Sequence, residues 1–400
     1  MNHKTRIITS QQAISTYIAT SLLYSFGDKI HGSNFTIFLH SRGLSFTQVG
    51  IIIGLIGIMA AVTDFPTGIL ADKYGRKNAV SLGLFLYGFG LLTFLVYPIA
   101  FWSFLGALFI GLGISFCSGS LYAWIKGFLD QSALLEKTII LSEGLRWLGA
   151  TLAGLCAFYL LSIQGKYTFL IGGLLLISTS IMFYIFVPEN YGDYTKGIGK
   201  FMKESYQEIT TNKRLAMLFV SNLLADVGLF TFIVGWQPLW VKAGNSHKSL
   251  AFVFIFLTLF AAFGSITMTK LRKKSEKTIL LVALGIQSTA LLMIPFSSNI
   301  YTLLMSFLVF EFAIGIRGTC IYNMYVKLIP SSKTASCLSL LSTLSGGMRF
   351  IAATTAGVFI EKAQFLVAFS IPATLSVIGG IILFWRYLPV NSQVSIAYEK

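Results

Sequence analysis

Gly68-Ile-Leu-Ala-Asp72-Lys73-Tyr-Gly75-Arg76-Lys77 separates two apolar stretches, Val49 to Ala61 and Ala79 to Ala100, and its reading decides the fold. About twenty apolar residues cross the hydrocarbon core of a bilayer as a helix. One acid, Asp64, follows the first stretch, and the second carries no charge. The segment therefore reads as a tight hairpin between two membrane helices, built from two glycines, an acid and a basic pair.

Composition leads to the same class by a separate route. Of the 400 residues, 55% are hydrophobic and only 11% are charged, with a mean hydropathy of +0.76. Soluble domains of this length do not have that balance. The expected architecture is an all-α polytopic membrane protein with helices near 11–39, 47–70, 78–98, 103–127, 138–162, 167–187, 213–241, 248–270, 278–296, 299–327, 333–360 and 364–387. The first is too long, and lacks the small-residue cleavage site, to be a removable signal peptide.

The net charge of +15 takes its meaning from where the basic residues fall. With both ends on the motif side, 21 of the 30 Lys and Arg lie in connections on that side, among them Lys4, Arg6, Lys196, Arg272, Lys273, Lys333 and Lys400. The opposite connections keep Arg42, Lys166, Lys242, Lys248 and Lys362. This is a positive-inside bias, which reports orientation and removes nucleic acid as a partner. Both termini are expected in the cytoplasm.

The hairpin resembles the loop between the second and third helices of the major facilitator superfamily, where Gly, Asp and Gly-Arg-Lys recur; Asp72, Gly75, Arg76 and Lys77 match. The resemblance implies twelve membrane helices in two six-helix, pseudo-symmetric halves, here 1–187 and 213–400, joined by a cytoplasmic linker at 188–212. It also implies that Gly68 lets the second helix pack closely on the eleventh. Asp72 and Arg76, extended by Asp64, would latch the cytoplasmic side when the protein opens outward. Within the linker, 198–210 can form an amphipathic surface helix or remain a solvated connection with some helix.

An internal repeat supports the two halves. Ser142-Glu-Gly-Leu-Arg146-Trp-Leu-Gly-Ala-Thr-Leu-Ala-Gly154 aligns without gaps on Ser345-Gly-Gly-Met-Arg349-Phe-Ile-Ala-Ala-Thr-Thr-Ala-Gly357, six helices later. Parallel repeats of this kind hold substrate between the halves near the midplane. The repeat would bring Arg146 and Arg349 to opposite walls of one cavity.

Charges inside apolar spans are functional candidates, because each costs a few kcal/mol unless it meets a cavity or a partner. These are Asp28, Lys29, Glu143, Arg146, Asp226, Glu311, Arg317 and Arg349. A guanidinium fork suits a carboxylate or phosphate. The plainer reading pairs Arg146 with Glu143, one turn away, and leaves Arg349 without a local partner. Asp28 and Lys29 are adjacent and need not pair. Asp28, Glu143, Asp226 and Glu311 are candidate proton carriers, since loss of hydration favours the neutral carboxyl, or else fixed ion pairs. His31 is expected to be solvated near a helix end. Tyr17, Tyr24, Phe35, Tyr122, Trp124, Trp147, Trp236, Tyr322, Tyr325 and Phe350 interleave these charges, as an aromatic cage or as packing.

Cys117, Cys156, Cys320 and Cys337 fit neither a zinc site nor a disulfide framework. The four histidines form no helical metal pair, and no phosphate-loop motif occurs. No metal, cofactor or enzymatic activity is expected.

Taken together, these residues indicate a secondary transporter working by alternating access, a monomer in the bacterial inner (plasma) membrane. Its partners are the lipid bilayer, protons and a small-molecule substrate. The preferred reading is proton-coupled export, as an antiporter, of a small amphiphilic, anionic metabolite or drug, such as a siderophore-like carboxylate or an antibiotic. The alternatives are an importer of a sugar or organic anion and, from another class, a membrane-embedded lipid enzyme or receptor. Gly144, Gly149 and Gly154 lack the proline of the drug-antiporter signature on the fifth helix.

Overall fold

In a computed structural model, residues 8–129, 132–192, 198–271, 274–330 and 334–386 are described. Lys4, Arg6, Lys196, Arg272, Lys273, Lys333 and Lys400, which contribute to the charge bias, lie outside them. The described residues form fifteen α-helices, one short 3-10 turn and no strand. Helices suit a bilayer because each satisfies its own backbone hydrogen bonds.

The helices run α1 (Ser10–Lys29), α2 (Phe35–Ser41), α3 (Phe46–Tyr74), α4 (Arg76–Thr93), α5 (Ile99–Ser118), α6 (Ser120–Lys126), α7 (Ser132–Ile163) and α8 (Lys166–Phe186). Next come α9 (Ile198–Thr211), α10 (Lys213–Lys242), α11 (His247–Lys270), α12 (Glu276–Met293), α13 (Ile300–Leu328), α14 (Thr334–Glu361) and α15 (Phe365–Arg386). Nine stretches among the described residues, with α5 and α6 counted together, are long and apolar enough to cross a membrane. The broken α1–α2 pair, α4 and α14 occupy the other three expected positions. Ser and Thr recur through α1 and α14, and the short α4 begins with Arg76 and Lys77.

Two expected single helices are interrupted. The first breaks over residues 30–34 into α1 and α2, and the fourth breaks at Gly119 into α5 and α6. The amphipathic segment of the linker is helical, as α9.

Local chemistry explains several helix starts. Thr9 and Gln12 form a capping box on α1, Ser45 and Gln48 one on α3, and Asn299 and Thr302 one on α13. Such a cap contributes about 1 kcal/mol by satisfying N–H groups the helix cannot bond itself.

The packing fixes which helices face each other. α4 lies against α5 and α8, α1 against α7, α11 against α13, and α12 against α13 and α15. Trp124, Phe94 and Phe169 centre one buried cluster, and Phe232, Phe307 and Phe310 another. The longest crossing joins α3 to α14, and a second joins α7 to α11. Outward-facing side chains stay apolar: Met182 is 57% exposed and Ile185 58%. In water these patches would be a liability, whereas lipid solvates them.

Candidate functional site

The motif hairpin folds onto its own neighbourhood. Gly75 turns the chain with a φ of +110°, a conformation that favours glycine. It cannot cap α4 with a side chain, and Glu189 does so instead. Its carboxylate accepts the Lys77 N–H at 2.6 Å and the Asn78 N–H at 3.1 Å. A methyl on Gly75 would collide with that carboxyl, so glycine is required on two counts.

Arg76 Nε pairs with Asp72 Oδ1 at 2.9 Å, and Arg76 Nη1 donates to the Ala123 carbonyl at 2.9 Å. The Arg76 N–H donates to Asn190 O at 3.0 Å, while the Asn190 amide donates to Trp124 O at 2.8 Å. The Asp72–Arg76 clamp thus ties α3 and α4 to α6 and the segment after α8. Among the described residues, its bonds stay within those up to 192. Lys77 sits 4.8 Å from the Tyr184 ring centroid.

The crossing to the second repeat is made elsewhere. Asp64 accepts from Ser118 Oγ at 2.7 Å and from Ser339 Oγ, on α14, at 2.8 Å. Thr343 Oγ1 donates to Ala61 O at 2.8 Å. The expectation for Gly68 is corrected: a methyl there would meet nothing within 4 Å. Close approach of α3 and α14 is supplied by Gly50 under the Ala353 carbonyl, Gly54 against Phe350, Gly346 against Ala61 and Gly357 under the Phe46 carbonyl. Small residues at a helix crossing permit this contact.

At the far end, Gln237 of α10 reaches the break between α1 and α2. Its Oε1 accepts the Thr36 N–H at 2.9 Å and the Ile37 N–H at 3.2 Å, and its Nε2 donates to Gly32 O at 2.8 Å. Asn34, at the N-cap of α2, makes no side-chain capping bond. One buried amide, 1% exposed, therefore caps a helix from across the molecule. The Phe46 N–H donates to the Glu361 carboxylate at this same end.

The charges within the spans divide into spent and unspent groups. Asp226 and Arg317 pair at 2.7 Å with side chains 12% and 4% exposed, and Asn222 Oδ1 accepts from Arg317 Nη1 at 2.6 Å. This triad on α10 and α13 pairs both charges, although Arg317 Nε stays buried without a partner. Arg146 pairs with Glu143 at 3.0 Å and stands 6.0 Å from the Tyr24 ring. Asp28 and Lys29 pair at 2.9 Å despite adjacency, because the flexible lysine folds back where α1 ends. Tyr87 also donates to Asp28.

Arg349 differs in having no carboxylate within ion-pair distance among the described residues; its guanidinium lies 5.8 Å from the Phe230 ring and its Nε, like that of Arg317, is buried without a partner. Glu311 likewise has no hydrogen bond or ion pair among them, although Lys29 is close enough for its charge to act on that carboxyl.

One further expectation is corrected. His31 is 7% exposed, enclosed by Phe35, Tyr87 and Phe169. Of the interleaved aromatics, Trp124 and Trp236 are packing residues, 0% and 4% exposed. Glu189, Gln237, Ser118, Ser339 and Asn222 escaped the sequence reading. Glu189, just after the sixth span, was the nearest to a signal.

Comparison with known proteins matches this arrangement. The family profile described as Major Facilitator Superfamily matches residues 17–353. An uncharacterized MFS-type transporter of Bacillus subtilis is 24% identical over 70% of this chain and 72% of its own length. Another, from Methanocaldococcus jannaschii, is 21% identical over 88% of this chain and 92% of its own. The crystal structure of the nucleoside transporter NupG superposes with a TM-score of 0.75 at 15% identity, covering 92% of this chain and 99% of that one. With the family profile spanning most of its helices, the chain belongs to the Major Facilitator Superfamily and is a membrane secondary transporter.

Proposed function

We propose that the chain exports a small amphiphilic anion from the cytoplasm in exchange for protons, as a monomer in a bacterial plasma membrane. Six-helix units at 1–187 and 213–400 rock about the α3–α14 and α7–α11 crossings. The carrying observation is Arg349. Of the three arginines within the spans, Arg146 and Arg317 are each paired with a carboxylate, and Arg349 alone lacks one among the described residues.

An unpaired guanidinium is costly in a membrane protein unless a solute or water meets it. It presents a planar fork to a carboxylate or phosphate, and Phe230 offers an apolar surface beside it. Arg146, at the equivalent repeat position, is the second contact once it leaves Glu143. Glu311 is the proton carrier, because it is the unspent carboxyl among these charges and Lys29 can exchange between it and Asp28.

The conformation supports an inward-open state. Hydrogen bonds between the units hold the Gln237 end; toward the motif side the units stay bonded through α3 and α14, and Tyr122 on α6 and Tyr322 on α13 are 42% and 58% exposed. The motif clamp, whose bonds among the described residues lie within the first unit, is then the disengaged form of a latch.

The test is transport of radiolabelled amphiphilic carboxylates by purified protein in proteoliposomes. Arg349→Ala is expected to lower anion transport at least about tenfold, the worth of one charge-assisted contact, with Arg146→Ala weaker in effect. Unchanged transport of every anion in both variants contradicts the anion reading.

A further inference from the structure

Far from the central charges, at the Gln237 end, a cavity of about 260 Å³ opens between α2, the α7–α8 connection and the start of α11. Arg42, Lys166, His247 and Gln164 line it, and none of its lining residues is acidic. The positive-inside bias leaves few basic residues on this side of the protein, yet two of them, with a histidine, converge on one cavity.

The backbone adds to the same potential. α8 begins at Lys166 and α11 at His247, and neither helix has a side-chain hydrogen bond at its N-cap, Gly165 or Ser246. The N–H groups of Tyr167, Thr168 and Ser249 already donate to the carbonyls of Gln164, Gly165 and Ser246, so these N-termini contribute the N–H groups of their first residues and the positive end of the helix dipole. Two such ends therefore border one cavity that already holds basic side chains.

The donors are largely unspent. Arg42 Nη2 donates to Leu95 O at 3.1 Å, and the guanidinium lies 4.2 Å from the Tyr97 ring, so the fork is held in place. Its Nε is buried without a partner. The side chains of Gln164, Lys166 and His247 are exposed and make no hydrogen bond among the described residues. For the buried Arg42 Nε, an unpaired state is unfavourable by about 1–3 kcal/mol unless something accepts from it.

We infer that this cavity is a binding site for a phosphate group, presented by an anionic lipid headgroup or by a free phosphate. Arginine supplies the planar fork and lysine a point charge, while the helix ends supply backbone donors suited to a tetrahedral oxyanion. α2, α7 and α8 belong to the first repeat and α11 to the second. A bound phosphate thus ties the two repeats together at this end and favours the closed arrangement over an open one, by its differential affinity.

The test titrates detergent-purified protein with inorganic phosphate and reads thermal unfolding. A second arm compares nanodiscs of phosphatidylcholine alone with nanodiscs containing phosphatidylglycerol. The double variant K166Q/H247Q is compared with the parent and with Lys362→Gln, which removes a basic residue that does not line the cavity. Equal unfolding temperatures without phosphate show that the variants fold.

Saturable stabilisation by phosphate, weakened roughly tenfold or more in the double variant and unchanged in Lys362→Gln, supports the site with free phosphate as its source. Stabilisation only in phosphatidylglycerol nanodiscs, lost in the double variant alone, supports it with lipid as the source. Absence of stabilisation in both arms, or equal weakening in Lys362→Gln, overturns it.

Discussion

Gln237 accepts the backbone N–H of Thr36 at 2.9 Å across 201 residues of sequence. The break between α1 and α2 is what exposes that donor, so the irregularity in the first span and the buried amide in the seventh make one device. Opening this end requires three hydrogen bonds to be given up together. Each contributes about 0.5–1.5 kcal/mol net. Gln237→Ala should therefore shift the conformational balance by roughly 1.5–4.5 kcal/mol, or about 10- to 2,000-fold, toward the open form. Reaction of an impermeant thiol reagent with Ile37→Cys, in a background lacking the four native cysteines, reads the shift. Ile37 is 8% exposed at present, and faster labelling is expected after Gln237→Ala.

Arg317 and Arg349 should fail in different ways. Arg317→Ala strands the Asp226 carboxylate, which is 12% exposed, and removing one partner of a buried pair costs about 3–5 kcal/mol. Lower melting temperature and poor yield are expected, partly restored when Asp226→Asn is added. Arg349→Ala leaves no stranded acid. Its melting temperature should stay within a few degrees of the parent while anion transport falls.

The glycines make a sharper distinction than the motif does. Gly68→Ala adds a methyl in open space within α3 and replaces a poor helix former with a good one, worth up to about 1 kcal/mol. Transport should be retained. Gly54→Leu drives a side chain into Phe350, whose Cα would lie 2.8 Å from the new Cβ, and transport should be lost. The pair is read in one uptake or efflux assay with expression matched by immunoblot.

Glu189→Ala removes the cap of α4 and is expected to destabilise by about 1–2 kcal/mol. Glu189→Gln keeps acceptor geometry but loses the charge, so it should fall between Ala and the parent in a thermal-unfolding measurement.

How much of this is written locally along the chain varies by residue. The capping boxes at Thr9–Gln12 and Ser45–Gln48 are local, and the Arg146–Arg349 correspondence is visible because a repeat carries it. Glu189 looked like one acid in a polar connection, since its partners are backbone N–H groups 112 and 111 residues away. The same holds for Gln237. Backbone donors leave no mark in the residue identities, and only the packing of helices brings them into reach. Gly68 misleads in the opposite direction: a shared motif suggests a crossing that Gly54 and Gly50, about four and five turns of helix earlier, actually provide. Asp226 and Arg317, 91 residues apart, could be named as charges but not as partners.

The measurement closest to the central claim is solute movement by the purified protein in proteoliposomes under an imposed pH gradient, comparing the parent with Glu311→Gln. The account predicts that amphiphilic anions accumulate with the gradient in the parent and lose accumulation when a protonophore is added. Glu311→Gln should abolish gradient-driven accumulation while retaining anion exchange without a gradient. Gradient-driven accumulation in Glu311→Gln at the parent's rate would contradict it.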